Sequence, residues 1–431
     1  MKPACDGSSR TLTNTSDILG NGLAGSRVLV TGSSGFVGPY LIRRLLELGA
    51  TVYGIDRRKS RSVDTLERIG EFNPERLTLL SGDLVDISSI ANAVDKSQPD
   101  FVLHLASQSY IPESFVNPVS TFSTNALGTA NLLEAIRLKS LNPRIVFAGS
   151  SEEYGLVVYS ENQWSKVCNK YGLVFPEPKS IPELPIRETN PLRPMSPYAV
   201  SKVAADHLMR GYYHTYGLKT VVSRAFNHEG AGRGDQFVTS VITRQVMQVL
   251  YKERESIAIG DVTSFRDWSH VTDIVDGYLL LALRGSCGDV YNQGSQRTNS
   301  VLSFILLSLE AAHYKVKSIR LHDGSAIVDN PCDMEDAQYF GLQMPLTKVD
   351  RMLLDEELSI GLENRGFSVE TEKGRTDIVF EPSRFRPSDV PILLSETSKI
   401  RGLGLAPRYD LRSIIADQIN YYMNPARRMV S

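Results

Sequence analysis

Cysteine is scarce in this sequence, and what there is shows no pairing pattern. The 431 residues contain four: Cys5, Cys168, Cys287 and Cys332. They lie far apart, with no CxxC and no Cys/His pair at zinc-ligand spacing, which argues against a disulfide scaffold or a metal site. A reduced, intracellular chain is expected. Charge of one sign is also missing, because 47 Lys+Arg face 49 Asp+Glu for a formal net charge of −2. No broad positive field is available for nucleic acid or an anionic membrane surface. Long apolar runs are absent as well: residues 271–275 and 277–283 are too short and too interrupted to cross a bilayer. The first 25 residues are rich in Ser, Thr, Asn and Gly and lack the apolar stretch of a signal peptide. Residues 1–25 are therefore expected to be a flexible leader, and the protein to be cytoplasmic.

What is present is ample core material. Hydrophobic residues make up 42% of the chain, enough for two or three domains. Charged residues, at 22%, sit near the globular norm, which excludes wholesale disorder. Short apolar runs at 28–30, 51–56, 77–80, 101–105, 144–148 and 220–226 alternate with helical patterns at 40–48, 87–94, 125–138 and 198–216. That alternation predicts a doubly wound α/β fold with a parallel sheet. Two stretches break it. Residues 157–191 are proline-rich without a clean period, and residues 321–382 read as charged and irregular. Both are expected to be insertions that cover a site or an interface.

Between the first strand and helix lies Gly32-Ser-Ser-Gly35-Phe-Val-Gly38. A tight turn, close backbone approach and a helix N-terminus together favour a pyrophosphate. Asp56, ending the next strand, is placed to accept both ribose hydroxyls of NAD. Arg57 and Arg58 follow at once and would suit the 2′-phosphate of NADP. NAD is the expectation and NADP the alternative, since a carboxylate beside a phosphate dianion is costly.

Tyr198 and Lys202 are four apart and share one helix face. A phenol normally titrates near 10. A nearby ammonium and a bound nicotinamide would lower that value, letting Tyr198 take a proton from a sugar hydroxyl as hydride leaves. His104 is expected to be a satisfied core histidine.

Thr31-Gly-x-x-Gly-Phe-Val-Gly38, Gly82-Asp83, Ser150-Ser151 and Tyr198-x-x-x-Lys202 together resemble an extended short-chain dehydrogenase/reductase. The resemblance runs over roughly residues 27–321 and 386–422. It implies a Rossmann domain and a nucleotide-sugar substrate, with Asp83 on the adenine amine and Ser150 on the substrate hydroxyl. It also implies that Phe36, Val37, Leu84, Leu105, Ala106 and Ser107 border the cofactor, and that helices of this domain form a homodimer or homotetramer.

Within that family, Glu152 stands where dehydratases carry a base for the C5 proton of the sugar. Ser151 occupies the place where one dehydratase branch has an Asp. Arg224-Ala-Phe-Asn227-His-Glu, Arg233-Gly-Asp-Gln-Phe-Val238-Thr, Arg266-Asp-Trp-Ser-His270 and Arg386-Pro-Ser-Asp389-Val are similar to the branch acting on GDP-mannose. By that resemblance Arg266 and Arg386 would hold the diphosphate and Asp389 would receive ribose hydroxyls. Asn227 would contact diphosphate or sugar, with Ser109, Arg233 and Val238 completing the substrate site. Ser150 replaces a more typical Thr, and the Ser-Ser-Glu-Glu-Tyr-Gly and Arg-Pro-Ser-Asp-Val-Pro segments also look like GDP-6-deoxy-4-ketohexose reductases.

The expected organisation is a leader at 1–25, an NAD(P)-binding Rossmann domain at 26–226 and a mainly substrate-binding part at 227–431. Residues 270–295 would return to the first domain. The expected activity is a nucleotide-sugar 4,6-dehydratase retaining NAD(P). A reductase, an epimerase and a non-enzymatic sensor on the same fold are the alternatives.

Overall fold

A computed structural model of the chain describes residues 19–57, 67, 69–172, 174–361, 365–385 and 390–429. Its first layer is a seven-stranded sheet in the order β11-β6-β5-β4-β1-β2-β3. The strands are β1 (Arg27–Thr31), β2 (Thr51–Asp56), β3 (Leu77–Ser81), β4 (Phe101–His104), β5 (Arg144–Ala148), β6 (Lys219–Ala225) and β11 (Val290–Gln293). Every pairing is parallel. Val28, Leu29 and Val30 are buried on both faces of β1, as parallel strands between helices require. Connecting helices include α1 (Val37–Glu47), α2 (Ile87–Ser97), α3 (Gly128–Leu138), α4 (Glu161–Tyr171) and α5 (Pro197–Tyr216). Ser196 caps α5 by accepting the Ala199 amide, and Gly217 ends it at φ +72, a left-handed position that favours glycine.

The second unit is built on the sheet β14-β13-β17-β18-β8. These strands are β8 (Ser256–Ile259), β13 (Val316–Leu321), β14 (Ile327–Asp329), β17 (Gly366–Thr371) and β18 (Gly374–Phe380). The helices α6 (Val238–Leu250), α8 (Val301–Ala311) and α10 (Leu411–Tyr422) share one apolar cluster with it, around Phe304, Phe367, Ile378 and Ile415. Two short pairings, β7 (Asn227–Glu229) with β10 (Trp268–His270) and β9 (Phe265–Arg266) with β12 (Asn299–Ser300), lie between the units. Helix α7 (Val271–Arg284) packs back on the first core.

Three expectations need correction. Residues 19–25 are not a loose leader: Leu19 and Leu23, four apart on one turn, are buried in the first core. Residues 321–382 are not irregular either. They contribute β14, β17 and β18, the hairpin β15 (Met334–Tyr339) with β16 (Leu342–Thr347), and the helix α9 (Lys348–Leu354). β17 is buried along nearly its whole length, while β18 alternates buried and exposed residues, a pattern that the charged composition of the stretch concealed. Within 157–191, helix α4 starts at the Ser160 cap, which accepts the Gln163 amide. Among the described residues no helix is long and apolar enough to cross a membrane.

Candidate active site

A cleft of about 680 Å³ opens along the carboxyl edge of the parallel sheet and reaches the second unit. One wall is the β1–α1 turn. Gly32 lies at φ +73, and a Cβ there would sit 2.9 Å from the Ala106 amide nitrogen. A Cβ on Gly38 would come within 2.2 Å of the Ser33 carbonyl oxygen. Only glycine allows both approaches. Gly32, Gly35, Phe36, Val37 and Gly38 line the cleft, with Leu105, Ala106 and Ser107 opposite. Helix α1 has neither a side-chain cap nor an acidic residue in its first turn, so nothing there opposes an anion at its N-terminus. This cradle fits a dinucleotide pyrophosphate.

Asp56 ends β2 beside Ser81 of β3, and its carbonyl accepts the Gly82 amide at 3.1 Å. Arg57 is exposed. The Asp83 carboxylate accepts the Val85 amide at 3.2 Å, and Leu84 is buried. These four occupy the strand ends outside the lining of the cleft itself. Arg58 falls outside the described residues.

The reacting wall is the turn after β5. Ser150 caps a short helical turn, its hydroxyl accepting the Glu152 amide at 3.2 Å. Ser150, Ser151 and Glu152 all line the cleft, as do Tyr198 and Lys202 from the first turns of α5. The Tyr198 phenol hydrogen-bonds Ser150. Burial is the larger influence and holds the phenol above its ordinary range, with Glu152 and Glu153 adding to the rise.

The expected acidification of Tyr198 called on Lys202 together with a bound nicotinamide. Lys202 Nζ donates to the Ala148 carbonyl at 2.8 Å and lies 5.9 Å from the Tyr198 ring centroid. The influences that lower the phenol are the Ser150 hydrogen bond and the Arg233 charge. Lys202 itself is pushed down to about 8 by burial, against an opposing pull from Glu153.

The opposite wall carries Ser109, Asn227, Arg233, Val238 and Arg266. Arg233 stacks on Phe237, 3.7 Å from its centroid, and on Phe36 at 5.0 Å. Arg266 donates Nη1 to the carbonyls of Phe265 and Val390. Among the described residues the buried Asn227 Oδ1 has no hydrogen-bond partner, which suits a ligand donor. Arg386 and Asp389 fall outside the described residues. His104 bridges Thr31 at 2.7 Å and Thr129 at 3.0 Å, and burial drives it down to about 3.

The structure adds lining residues with no sequence signal: Phe115, Asp261, Tyr278 and Phe385. Distant strands and helices deliver them to the cleft. His228 also lines it, stacked on Phe36 and held down to about 4 by burial. Among the described residues no three His, Cys, Asp or Glu are grouped to hold a metal.

The profile of the NAD dependent epimerase/dehydratase family matches residues 28–294. The chain belongs to that family. Over 402 residues it is 30% identical to GDP-mannose 4,6-dehydratase of Yersinia enterocolitica, covering 91% of this chain and 92% of that one. Over 313 residues it is 30% identical to GDP-6-deoxy-D-mannose reductase of Pseudomonas aeruginosa, covering 72% and 86%. It shares its fold with RMD of Pseudomonas aeruginosa solved with NADPH, at TM-score 0.62 and 23% identity over 92% of this chain and 98% of that one. The chain is an NAD(P)-dependent enzyme of the extended short-chain dehydrogenase/reductase type.

Proposed function

We propose that the chain is a nucleotide-sugar 4,6-dehydratase acting on GDP-mannose or a close relative. The observation that carries this reading is Glu152, a carboxylate on the cleft wall two residues after Ser150 and near enough to Tyr198 to raise its phenol. Bound NAD(P) supplies a hydride acceptor for C4 of the sugar and a hydride donor for C6. Ser150 and Tyr198 hold the C4 hydroxyl, and Tyr198, as the phenolate that a bound nicotinamide's positive charge would favour, takes its proton as the C4–H bond breaks. The C4 ketone acidifies the neighbouring C–H; Glu152 removes the C5 proton and hands it to the C6 hydroxyl, which departs as water. A proton returned to C5 completes the product. Lys202 carries positive charge into this wall below about pH 8. Arg233 and Arg266 suit the diphosphate, and Arg386 and Asp389 are proposed to close on the nucleotide. Asp56 supports NAD over NADP by the cost of facing a phosphate dianion.

We further propose a homodimer built on the Pro118–Phe122 helix and α5. Val119 is 78% exposed and Phe122 45%, and they border a mainly apolar groove with Pro118, Pro197 and Val200. A patch of this kind on a helix face suits self-association.

Incubation with GDP-mannose and no added cofactor tests the activity. Loss of one water with no net cofactor consumption is expected. Stoichiometric use of reduced cofactor on a 4-keto sugar would assign a reductase, and an unchanged mass with an altered sugar an epimerase.

A further inference from the structure

Glu153 takes no part in the chemistry above, yet it is fully buried directly behind it. One carboxyl oxygen accepts the Ser150 amide at 2.7 Å. The other lies 3.2 Å from Arg224 Nε. Arg224, from β6, reaches Asp206 at 2.8 Å through Nη2, so one guanidinium holds both carboxyl groups. Asp206 sits one helical turn after Lys202 and two after Tyr198, so it belongs to the helix that presents both. Arg210, a further turn along, holds the other Asp206 oxygen at 2.6 Å. The backbone makes room for this arrangement: a Cβ on Gly149 would meet Glu153 Oε1 at 2.6 Å.

We propose that Glu153 is a positioning residue: with Arg224 and Asp206 it locks the turn presenting Ser150 and Glu152 onto the helix presenting Tyr198 and Lys202. The inference rests on reading those four as the reacting set. Two carboxylates and a guanidinium cross-link elements far apart in sequence, and a buried bridge of this kind fixes geometry more than it adds stability. The groups facing Glu153 are Arg224 from β6 and Asp206, Lys202 and Tyr198 from α5, with Tyr154 from its own turn. Burial first and Asp206 next push Glu153 above the ordinary carboxylate range, against the pull of Arg224.

The test is made on the full-length, cofactor-loaded protein. In Glu153→Gln the side-chain oxygen still accepts from Ser150, and the size of the link is kept without its charge. Its kcat at pH 7 should stay within about threefold of wild type. In Glu153→Leu both links go while every cleft residue remains, so kcat should fall about 10²-fold with KM within about twofold, as a misplaced reacting group does. Adding Asp206→Asn to Glu153→Leu should cost little more than the worse single variant, because the bridge is one unit.

An unaltered kcat in Glu153→Leu overturns the proposal. So does a loss of kcat that merely tracks loss of folded protein by circular dichroism, or a fully additive double variant. A Glu153→Gln enzyme as slow as Glu153→Leu also overturns it, by assigning the effect to charge. The dehydratase reading fails separately, if wild-type enzyme leaves GDP-mannose intact. The same variants are then compared on reduction of a 4-keto nucleotide sugar, where Ser150 and Tyr198 must meet the substrate in the same geometry.

Discussion

Glu183 and Arg193 form a bidentate ion pair sealed inside the protein, with Nη1–Oε2 at 2.7 Å and Nη2–Oε1 at 2.8 Å. Arg193 also donates to the Leu156 carbonyl, and Glu183 accepts the Val158 amide. The pair thereby fastens the proline-rich stretch to the backbone just beyond the Glu152 turn. Removing one partner leaves the other charge buried and alone, which costs about 3–5 kcal/mol. Glu183→Ala should lose that much stability in urea unfolding. Replacing both by apolar residues of similar volume should cost much less.

The glycine cradle makes a prediction about cofactor retention. Gly38→Ala forces a methyl to 2.2 Å from the Ser33 carbonyl and 2.7 Å from that of Gly32, so the turn must shift away from the pyrophosphate position. Dinucleotide released on denaturing the purified protein should fall at least about tenfold, a change of roughly 1.4 kcal/mol in binding. The fold itself, followed by circular dichroism, should persist.

The position of Lys202 sets an alkaline limit. Its ammonium is destabilised by burial and titrates at about 8, so the charge is present below that pH and lost above it. Activity should decline as pH rises through about 8. Lys202→Arg keeps its charge far higher and should carry the decline to higher pH. A midpoint that does not move would assign it to another group.

The apolar groove beside α5 predicts assembly. Light scattering after size exclusion should give a dimer for wild type and a monomer for Val119→Asp, since a charge in the centre of an apolar contact must be desolvated. A variant that remains dimeric would place the interface elsewhere.

Much of the site was legible because its parts are local. Gly32, Gly35 and Gly38 announce themselves by spacing between a strand and a helix, and Tyr198 with Lys202 by one helical turn. Ser150 and Glu152 were legible from the family motif they share. What escaped the reading depends on distance in sequence. Asp261 and Phe385 reach the cleft only because β8 and the segment after β18 converge there. The Lys202 ammonium could be placed near Tyr198 by periodicity, but its preference for the Ala148 carbonyl depends on how α5 packs on β5. The strands within 327–380 were hidden because polar and charged residues are interleaved with the few apolar ones they bury, such as Phe367, Val369 and Ile378, and Leu19 and Leu23 because two leucines in a polar stretch carry too little pattern.

The most direct test of the central claim is turnover of GDP-mannose in deuterated water, followed by mass spectrometry of the nucleotide sugar. If Glu152 takes the C5 proton and hydride returns to C6, the product of wild-type enzyme lacks one water and carries one carbon-bound deuterium, with the cofactor unchanged. Glu152→Gln should lose about 10²–10⁴-fold in rate while retaining its cofactor. A product without deuterium, or a Glu152→Gln enzyme as fast as wild type, would contradict the account.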